Sequence, residues 1–154
     1  GRLIELWSCT DTPQSRLVAV EVRRELADDL RRQWDESVSV CCGDFLTCEP
    51  DIPPYGQSHK PGTQLLGWFD RIVMNPPFSG GADVRHILHA RTFLKLGGRL
   101  VALCANGPRQ RAALQPIASE WRELPAGSFA QLGTNVNVAL LVIEAPSEST
   151  EEGR

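Results

Sequence analysis

An α/β fold, with a mainly parallel sheet covered by helices on both faces, is the architecture that this sequence predicts. Short runs of β-branched and apolar residues alternate with segments in which apolar residues recur every three or four positions. Such alternation is typical of β-α-β units, in which each helix crosses over the sheet. The last two apolar segments have no helical pattern between them, so the last strand is expected to be antiparallel.

The first half of the chain supplies two predicted strands and one predicted helix. Leu17 to Val22 (LVAVEV) has the pattern of a buried parallel strand that ends in an acid. Leu26, Leu30 and Trp34 then recur at a spacing of four among charged residues, which predicts an amphipathic helix. Val38 to Cys42 (VSVCC) is the next predicted strand.

The middle of the chain repeats this order of strand, helix and strand. Phe69 to Met74 (FDRIVM) and Arg99 to Cys104 (RLVALC) are the two predicted strands. The helix between them is expected to be capped by Asp83 and to carry Leu94 on its apolar face. Gly97-Gly98 is expected to end that helix.

The last third of the chain predicts one more helix and one more strand. Pro108 suits the first turn of a helix in which Leu114, Ile117 and Trp121 would lie on one side. The apolar run Val136 to Ile143 is then the last predicted strand. We therefore predict one catalytic domain over residues 1–145, followed by a disordered acidic tail over residues 146–154.

Composition and charge narrow the class of function. The chain has 154 residues, 42% hydrophobic and 23% charged, as is usual for one globular domain. It contains neither a membrane span nor a signal peptide, so a cytoplasmic protein without a membrane partner is expected. The net charge of −3 excludes a module that holds nucleic acid by overall charge alone. Any contact with nucleic acid must be local, or be helped by another domain.

The cysteines and histidines do not form a metal-binding pattern. The five cysteines are odd in number and contain no CxxC pair, so they are expected to be reduced thiols. His86 and His89 lie three apart on a predicted helix and have no third ligand nearby. No metal site is predicted.

Asn75-Pro76-Pro77-Phe78, at the end of the strand Phe69 to Met74, is the strongest functional signal. Ligands of open α/β sheets bind at the carboxyl ends of the strands. An exocyclic amine conjugated to a ring is a poor nucleophile, but two hydrogen-bond acceptors can localise its lone pair. The Asn75 side-chain oxygen and the Pro76 carbonyl are two such acceptors, held by the proline pair. Phe78 could stack on a base extruded from a duplex, or could simply be a core residue.

Two earlier strand ends carry acids. Glu21 ends the first predicted strand, where an acid can hold both hydroxyls of a ribose. Asp44 and Phe45 follow the next strand and offer a carboxylate for an adenine amino group and a ring beside the base. An ordinary solvated acid and a simple turn with a core Phe are the alternatives. Three consecutive strand ends thus present Glu21, Asp44 and Asn75 along one edge of the sheet.

In this order, the motifs resemble the class I methyltransferases, specifically the N6-adenine DNA methylases and their relatives with an NPPF or NPPY motif. The resemblance rests on Glu21 and on the segments GDFL (43–46), IVMNPPF (72–78) and LKLGGRLVAL (94–103). ELPAGSF followed by GTNVNVALLVI is similar to phage- or plasmid-borne DNA methylases.

The resemblance implies a Rossmann-like sheet of seven strands, with S-adenosyl-L-methionine bound across its carboxyl edge. It also implies the roles of individual residues. The implied catalytic residues are Asn75, Pro76, Pro77 and Phe78. The implied cofactor-binding residues are Gly1, Glu21, Val22, Asp44, Phe45 and Asn75.

The sequence departs from this family at its beginning. The family places a glycine-rich loop, which cradles the methionine part of the donor, after a central first strand. Gly1 to Leu6 resembles the last glycine of that loop and the helix after it, which predicts a missing first strand and an unfilled central position. The chain alone is then expected to bind the donor weakly. In a rival alignment Leu3 to Leu6 is that strand, but the linker to Leu17 is too short for a usual crossover helix.

The function that the resemblance favours is transfer of a methyl group to adenine N6 in DNA. Guanine N2 in ribosomal RNA and the side-chain nitrogen of protein glutamine present similar chemistry, so the motif does not separate these substrates. An inactive, methyltransferase-like binding module is the alternative from another class.

Contact with the target is expected from two segments beside the predicted site. The first is the proline- and glycine-rich loop 47–67, with Tyr55, His59 and Lys60, and the second is Ser79 to Asp83. Arg109 and Arg111 could meet phosphate, although surface positions on a helix are the alternative. A further target-recognition domain or subunit outside this chain is compatible with the sequence.

Overall fold

The computed structural model describes residues 4–8, 16–34, 38–48, 69–128 and 136–147. Several predictions fall outside these residues and stay predictions. They concern Gly1, Tyr55, His59, Lys60 and the tail from residue 148 onward.

The described residues form one sheet of seven strands. The strands are β1 (Ile4–Ser8), β2 (Arg16–Glu21), β3 (Val38–Cys42), β4 (Phe69–Met74), β5 (Leu94–Ala105), β6 (Glu120–Glu123) and β7 (Val138–Glu144). Their order across the sheet is β3-β2-β1-β4-β5-β7-β6.

The direction of the strands confirms the predicted α/β class with an antiparallel last strand. β2 pairs in parallel with β3, and β4 pairs in parallel with β5. β7 is antiparallel to β5, and β6 is antiparallel to β7. Strands β2 to β5 therefore all end at the same edge of the sheet.

Three α-helices connect these strands in the described part of the chain: α1 (Arg24–Trp34), α2 (Ala82–Arg91) and α3 (Pro108–Leu114). Helix α1 packs on β2 and β3, and helix α2 packs on β5. None of the helices described here is long and apolar enough to cross a lipid bilayer.

The hydrophobic core fixes the strand ends at this edge. Ile72 of β4, Leu100 of β5 and Leu141 of β7 are fully buried, and Ile87 of α2 and Leu114 of α3 pack into the same cluster. Burial of each such side chain is worth roughly 1.5–3 kcal/mol. Because close-packed interiors resist deformation, the turns that follow the strands start from fixed positions.

The centre of the sheet differs from the prediction. Ile4–Ser8 is a strand and not a helix, and it fills the position between β2 and β4 that was expected to be empty. It is antiparallel to both neighbours, with Ile4 opposite Val20 on one side and Met74 on the other. The segment between Ser8 and Arg16 is too short for the crossover that a parallel pair requires, which explains the antiparallel return.

The helix before β5 is shorter than predicted. Helix α2 ends at Arg91, where the Thr92 hydroxyl donates to the His89 carbonyl at 2.7 Å. Leu94 begins β5 instead of continuing the helix, and Gly97-Gly98 lies within that strand. Gly97 has a φ of 69°, a value that glycine adopts readily. It therefore allows a local irregularity within β5 and does not end a helix.

The helix that begins at Pro108 also ends earlier than predicted. Helix α3 ends at Leu114, and Gln115–Ile117 forms a 3₁₀ turn that contains Pro116. Proline lacks the N–H needed inside an α-helix, so the helix cannot run on to Trp121. Trp121 lies in β6 instead, and the predicted common face with Leu114 is wrong.

Candidate functional site

The turns that follow three parallel strands surround a single cavity of about 240 Å³. It lies at the carboxyl ends of β2, β3 and β4, where a ligand of an open α/β sheet is expected. The residues that line it are Val20, Val22, Gly43, Asp44, Phe45, Asn75, Pro76, Pro77 and His86. The structure thus brings together most of the predicted catalytic and cofactor-binding residues that it describes.

The turn after β3 exposes a carboxylate and buries a ring. Asp44 Oδ1 accepts a hydrogen bond from the Leu46 backbone N–H at 3.0 Å and so caps the 3₁₀ turn Phe45–Thr47. Asp44 is exposed, and its other oxygen has no hydrogen bond to a described residue. Phe45 is 3% exposed, and its ring lies 5.0 Å from that of His89. Asp44 can therefore accept a hydrogen bond from a ligand, while the ring of Phe45 forms a fixed part of the cavity wall.

The turn after β4 places the amide of Asn75 in the cavity wall. Asn75 is half-buried and makes no side-chain hydrogen bond within the described part of the chain. Pro76 is buried and Pro77 half-buried, and their restricted φ angles hold the turn. Phe78 is half-buried at the start of the 3₁₀ turn Ser79–Gly81 and does not line the cavity.

Glu21 occupies a different environment from Asp44 and Asn75. It is 2% exposed, and its Oε1 accepts a hydrogen bond at 2.8 Å from the backbone N–H of Arg23, just before α1. Its neighbours Val20 and Val22 line the cavity, but Glu21 does not. Val22 is 64% exposed and offers an apolar surface at the cavity edge. The predicted contact of Glu21 with a ribose stays a prediction.

His86 is a residue of the cavity wall that the sequence did not single out for this site. It lies on α2, and its Nδ1 is 2.7 Å from the Ala82 carbonyl oxygen. Its ring stacks on Phe45 with the centroids 6.2 Å apart and the planes inclined by 25°. The sequence raised His86 only as a metal ligand. Its place on the first helix after the Asn75 motif was the signal that could have found it.

The charge of the wall suits a ligand that donates hydrogen bonds. Asp44 contributes a carboxylate, whereas no Lys or Arg is among the lining residues that the structure describes. Such a wall favours amino groups and positive charge over phosphate. For S-adenosyl-L-methionine, Asp44 would hold the adenine amino group, Phe45 and Val22 would flank the nucleoside, and Asn75 would border the sulfonium side. The residues therefore fit the nucleoside half of this cofactor.

The cysteine near this cavity is not an activated nucleophile. Burial raises the pKa of the Cys48 thiol, and the nearby Cys41 and Asp44 raise it further. A nucleophilic cysteine requires a lowered pKa. Among the described residues, no group of three or more potential ligands is arranged for a metal ion.

Two arginines flank the turn beyond Phe78. Arg85 Nη1 lies 3.4 Å from the Gly80 carbonyl oxygen. Arg109 packs over Gly81, where a Cβ would come within 2.7 Å of its Nη1. Neither arginine forms an ion pair with a described carboxylate, whereas Arg111 pairs with Glu123 at 2.8 Å. Of the two arginines that the sequence suggested for phosphate, only Arg109 is without an ion pair to a described carboxylate.

Neither a protein-family model nor a curated protein matches the sequence. Solved structures do match, at low identity. PH1948 of Pyrococcus horikoshii, a candidate RNA methyltransferase, aligns with a TM-score of 0.54 at 16% identity over 84% of this chain. The candidate methylase HI0767 of Haemophilus influenzae aligns with a TM-score of 0.51 at 15% identity, over 83% of this chain and 71% of its own length. The fold is that of the class I methyltransferases.

The methyltransferase fold does not by itself define the reaction. The [4+2]-cyclase SpnF aligns as well, with a TM-score of 0.55 at 14% identity over 84% of this chain. This chain spans 63% of PH1948 and 66% of SpnF. The function therefore has to be argued from the residues of the cavity.

One feature sets this chain apart from the arrangement that the methyltransferase resemblance implies. Because β1 is antiparallel, its carboxyl end at Ser8 lies opposite Arg16, at the beginning of β2. The amino end of β1, at Ile4, lies instead beside Val20 and Met74 near the cavity. The segment 9–15 also contains no glycine. The sequence directly after β1 therefore lacks the glycines expected for the cradle of the methionine half of the donor, and β1 itself ends at the edge opposite the cavity.

Proposed function

We propose that this protein transfers a methyl group from S-adenosyl-L-methionine to an exocyclic amino nitrogen, and that the nitrogen is N6 of adenine in DNA. The observation that carries the proposal is the shared cavity at the carboxyl ends of β2, β3 and β4. In it, Asp44 and Phe45, which are predicted to bind the nucleoside of the donor, lie in the same wall as Asn75 and Pro76.

The roles of the residues follow from the chemistry of the amine. The donor supplies a methyl group on a sulfonium, so that transfer forms one C–N bond, breaks one C–S bond and releases one proton from the amine. Asn75 Oδ1 and the Pro76 carbonyl would accept hydrogen bonds from the two N–H groups and direct the nitrogen lone pair toward the methyl group. Positioning of this kind replaces strong base catalysis. Phe78 would stack on the target base, and Glu21 would bind the ribose of the donor.

Nucleic acid as the partner is supported by the two arginines beside the turn Ser79–Gly81. Arg85 and Arg109 reach this turn from α2 and α3 and are not neutralised by described carboxylates. Each could contact a phosphate next to an extruded base. Because the net charge is −3, overall charge would add no affinity to these two contacts, and sequence recognition would come from a domain or subunit outside this chain.

A methylation assay with labelled S-adenosyl-L-methionine tests the proposal. DNA, RNA and protein are offered separately, and label is expected at N6 of adenine in DNA. Asn75→Ala is expected to lower kcat at least about 100-fold, as removal of a preorganised polar group does elsewhere. Asn137→Ala, at an exposed asparagine outside the cavity wall, is the matched control and is expected to retain activity. Label in protein glutamine alone would contradict the nucleic-acid proposal.

Methylation of guanine N2 in ribosomal RNA is a second candidate. PH1948, one of the structures with this fold, is described as a candidate RNA methyltransferase. A guanine amino group presents the same two N–H donors to Asn75 and Pro76. In the assay above, label in RNA and none in DNA would favour this candidate.

A binding module without activity is a third candidate, and the direction of β1 is the observation that favours it. The cradle for the methionine half of the donor is not supplied after β1. Calorimetry with S-adenosylhomocysteine separates this candidate from the enzymes. The proposed enzyme is expected to bind it with a measurable Kd, and a lack of binding by the complete protein would favour the module.

A further inference from the structure

The imidazole of His86 is held in one orientation. Its Nδ1 lies 2.7 Å from the Ala82 carbonyl oxygen, which can only accept a hydrogen bond. Nδ1 must therefore carry the hydrogen. The His86 ring also stacks on Phe45, with an angle of 25° between the planes, and this contact further restrains its orientation.

This arrangement leaves Nε2 as the polar atom that His86 can offer to a ligand. In a neutral imidazole whose Nδ1 is protonated, Nε2 is a hydrogen-bond acceptor. It makes no hydrogen bond to a described residue, and His86 is part of the cavity wall. His89, one turn further along α2, differs because its Nε2 lies 3.0 Å from the Cys48 carbonyl oxygen and it does not line the cavity.

Besides Asn75, the cavity wall therefore holds two side chains that can accept hydrogen bonds from a ligand. Asp44 and His86 both line the cavity, and both adjoin Phe45, which follows Asp44 in the chain and stacks on the His86 ring. An exocyclic amino group has two N–H bonds, whereas an oxo group in the same place would face two acceptors without a donor. A buried polar group left without a partner costs more than the hydrogen bond it replaces.

We propose that His86 is a positioning residue whose Nε2 accepts a hydrogen bond from the adenine amino group of the donor, while Asp44 accepts the other N–H. The inference rests on the proposed function, since it takes the ligand to be S-adenosyl-L-methionine. It adds that the cavity discriminates a 6-aminopurine nucleoside from a 6-oxopurine nucleoside, and that His86 contributes to the discrimination.

Calorimetry with two ligands tests this role without any methyl transfer. The ligands are S-adenosylhomocysteine and S-inosylhomocysteine, which differ at the purine 6-position. His86→Phe keeps a ring beside Phe45 but removes the acceptor, and it is expected to weaken S-adenosylhomocysteine binding about tenfold. Binding of S-inosylhomocysteine is expected to stay the same or to tighten. His86→Gln, which can place an amide oxygen near the position of Nε2, is expected to restore most of the affinity for the adenosyl ligand.

His89→Phe is the matched control, because His89 lies on the same helix and packs on Phe45 but stays outside the cavity wall. It is expected to leave both affinities unchanged. A second readout is the ¹⁵N signal of His86 Nε2 in the wild-type protein, which should shift on addition of S-adenosylhomocysteine but not of S-inosylhomocysteine.

The outcomes separate this inference from the proposed function. If the wild-type protein binds S-adenosylhomocysteine but His86→Phe weakens both ligands equally, the side chain is only structural and the inference is overturned. An effect of His86→Phe on the binding of target oligonucleotides alone would overturn it as well, because the amino group would then belong to the target base. If the wild-type protein binds neither ligand, the proposed function fails, and the assignment of His86 fails with it.

Discussion

In the first turn of α2, the carboxylate of Asp83 is completely buried and joins three elements. Its Oδ2 accepts a hydrogen bond from the Ala105 N–H of β5 at 2.9 Å, and Gln110 Nε2 of α3 donates to both oxygens at 3.0–3.1 Å. Its Oδ1 also accepts from the Val84 N–H. The N-cap residue of α2 is Gly81, so the predicted cap by Asp83 is wrong. The Asp83 side chain lies within the first turn instead, where it fixes the start of α2 against β5 and α3.

Asp83→Ala is expected to lower the free energy of unfolding by about 3 kcal/mol, because the buried donors of Ala105 and Gln110 lose their acceptor. Asp83→Asn should cost less, about 1 kcal/mol, since one oxygen remains and the Gln110 amide can turn over. Urea denaturation measures both changes. Asp29→Ala, at an exposed acid of α1, is the control and is expected to stay within about 0.5 kcal/mol of the wild type. Equal midpoints for Asp83→Ala and Asp29→Ala would show that the buried network adds no stability.

Cys104 of β5 makes the stability of the fold depend on pH in the alkaline range. Burial raises the pKa of its thiol from 9.0 to about 12, and the negative charge of the nearby Asp83 adds to the shift. Between these values the unfolded chain has lost a proton that the folded chain still holds. The contribution of Cys104 is therefore fully present below pH 9 and is lost as the pH rises toward 12.

We expect the stability difference between wild type and Cys104→Ala to shrink by up to about 1.4 kcal/mol per pH unit above pH 9. Urea denaturation at pH 7, 9 and 10 measures it, with wild type and variant compared at each pH so that other titrating groups cancel. Parallel pH profiles for the two proteins would mean that Cys104 ionises in the folded state as easily as in the unfolded state.

Among the strands, β1 is the one whose direction the sequence pattern does not predict. In the observed register Glu5 lies opposite Val73, and Trp7 lies opposite Arg71. Directly opposed residues of antiparallel strands have Cα atoms about 4.5–5.5 Å apart, which a disulfide can span. The pairing of β1 with β4 can therefore be tested by cross-linking.

Glu5→Cys combined with Val73→Cys is expected to form a disulfide under mild oxidation, detected by mass spectrometry of the linked peptides. Glu5→Cys combined with Arg71→Cys is the matched control, because its two positions are displaced by two residues in the register. Little linked peptide is expected from the control. Faster cross-linking of the displaced pair would contradict the antiparallel register of β1.

The elements that could be predicted are those whose own residues decide their structure. β3 and β4 have the predicted bounds, because buried parallel strands are continuous apolar runs with clear ends. Trp121 could not be placed, since its spacing from Leu114 and Ile117 fits a helix as well as the turn and strand that Pro116 imposes. β1 could not be placed because its central position also depends on pairing with β4, which lies far away in the sequence.

The same division holds for the candidate site. Asp44, Phe45 and Asn75 could be predicted because each follows the end of a strand, and those ends meet at one edge. The environment of Glu21 could not, since its carboxylate is oriented by the backbone N–H of Arg23 just before α1. His86 could not either, because its place in the wall depends on the packing of α2 against Phe45.

For the molecule as a whole, the cavity depends on elements that are far apart in the sequence. Its wall joins turns from β2, β3 and β4 with helix α2, so these four elements must fold together to form it. A ligand that fills the cavity binds the folded chain and not the unfolded one. Binding of a ligand at this site should therefore raise the free energy of unfolding of the whole chain.

S-adenosylhomocysteine at about 100 times its Kd is expected to stabilise the fold by about 2.7 kcal/mol, which for a chain of this size raises Tm by roughly 5–10 °C. Asp44→Ala removes the carboxylate that would hold the adenine amino group, so at the same ligand concentration its Tm should rise by only a part of that amount. Asp29→Ala removes a carboxylate that lies outside the cavity wall and should show the full rise. Differential scanning calorimetry measures all three proteins with and without ligand. An equal rise for Asp44→Ala and the wild type would mean that the ligand binds elsewhere, because a site in this cavity cannot lose its carboxylate without losing affinity for the amino group.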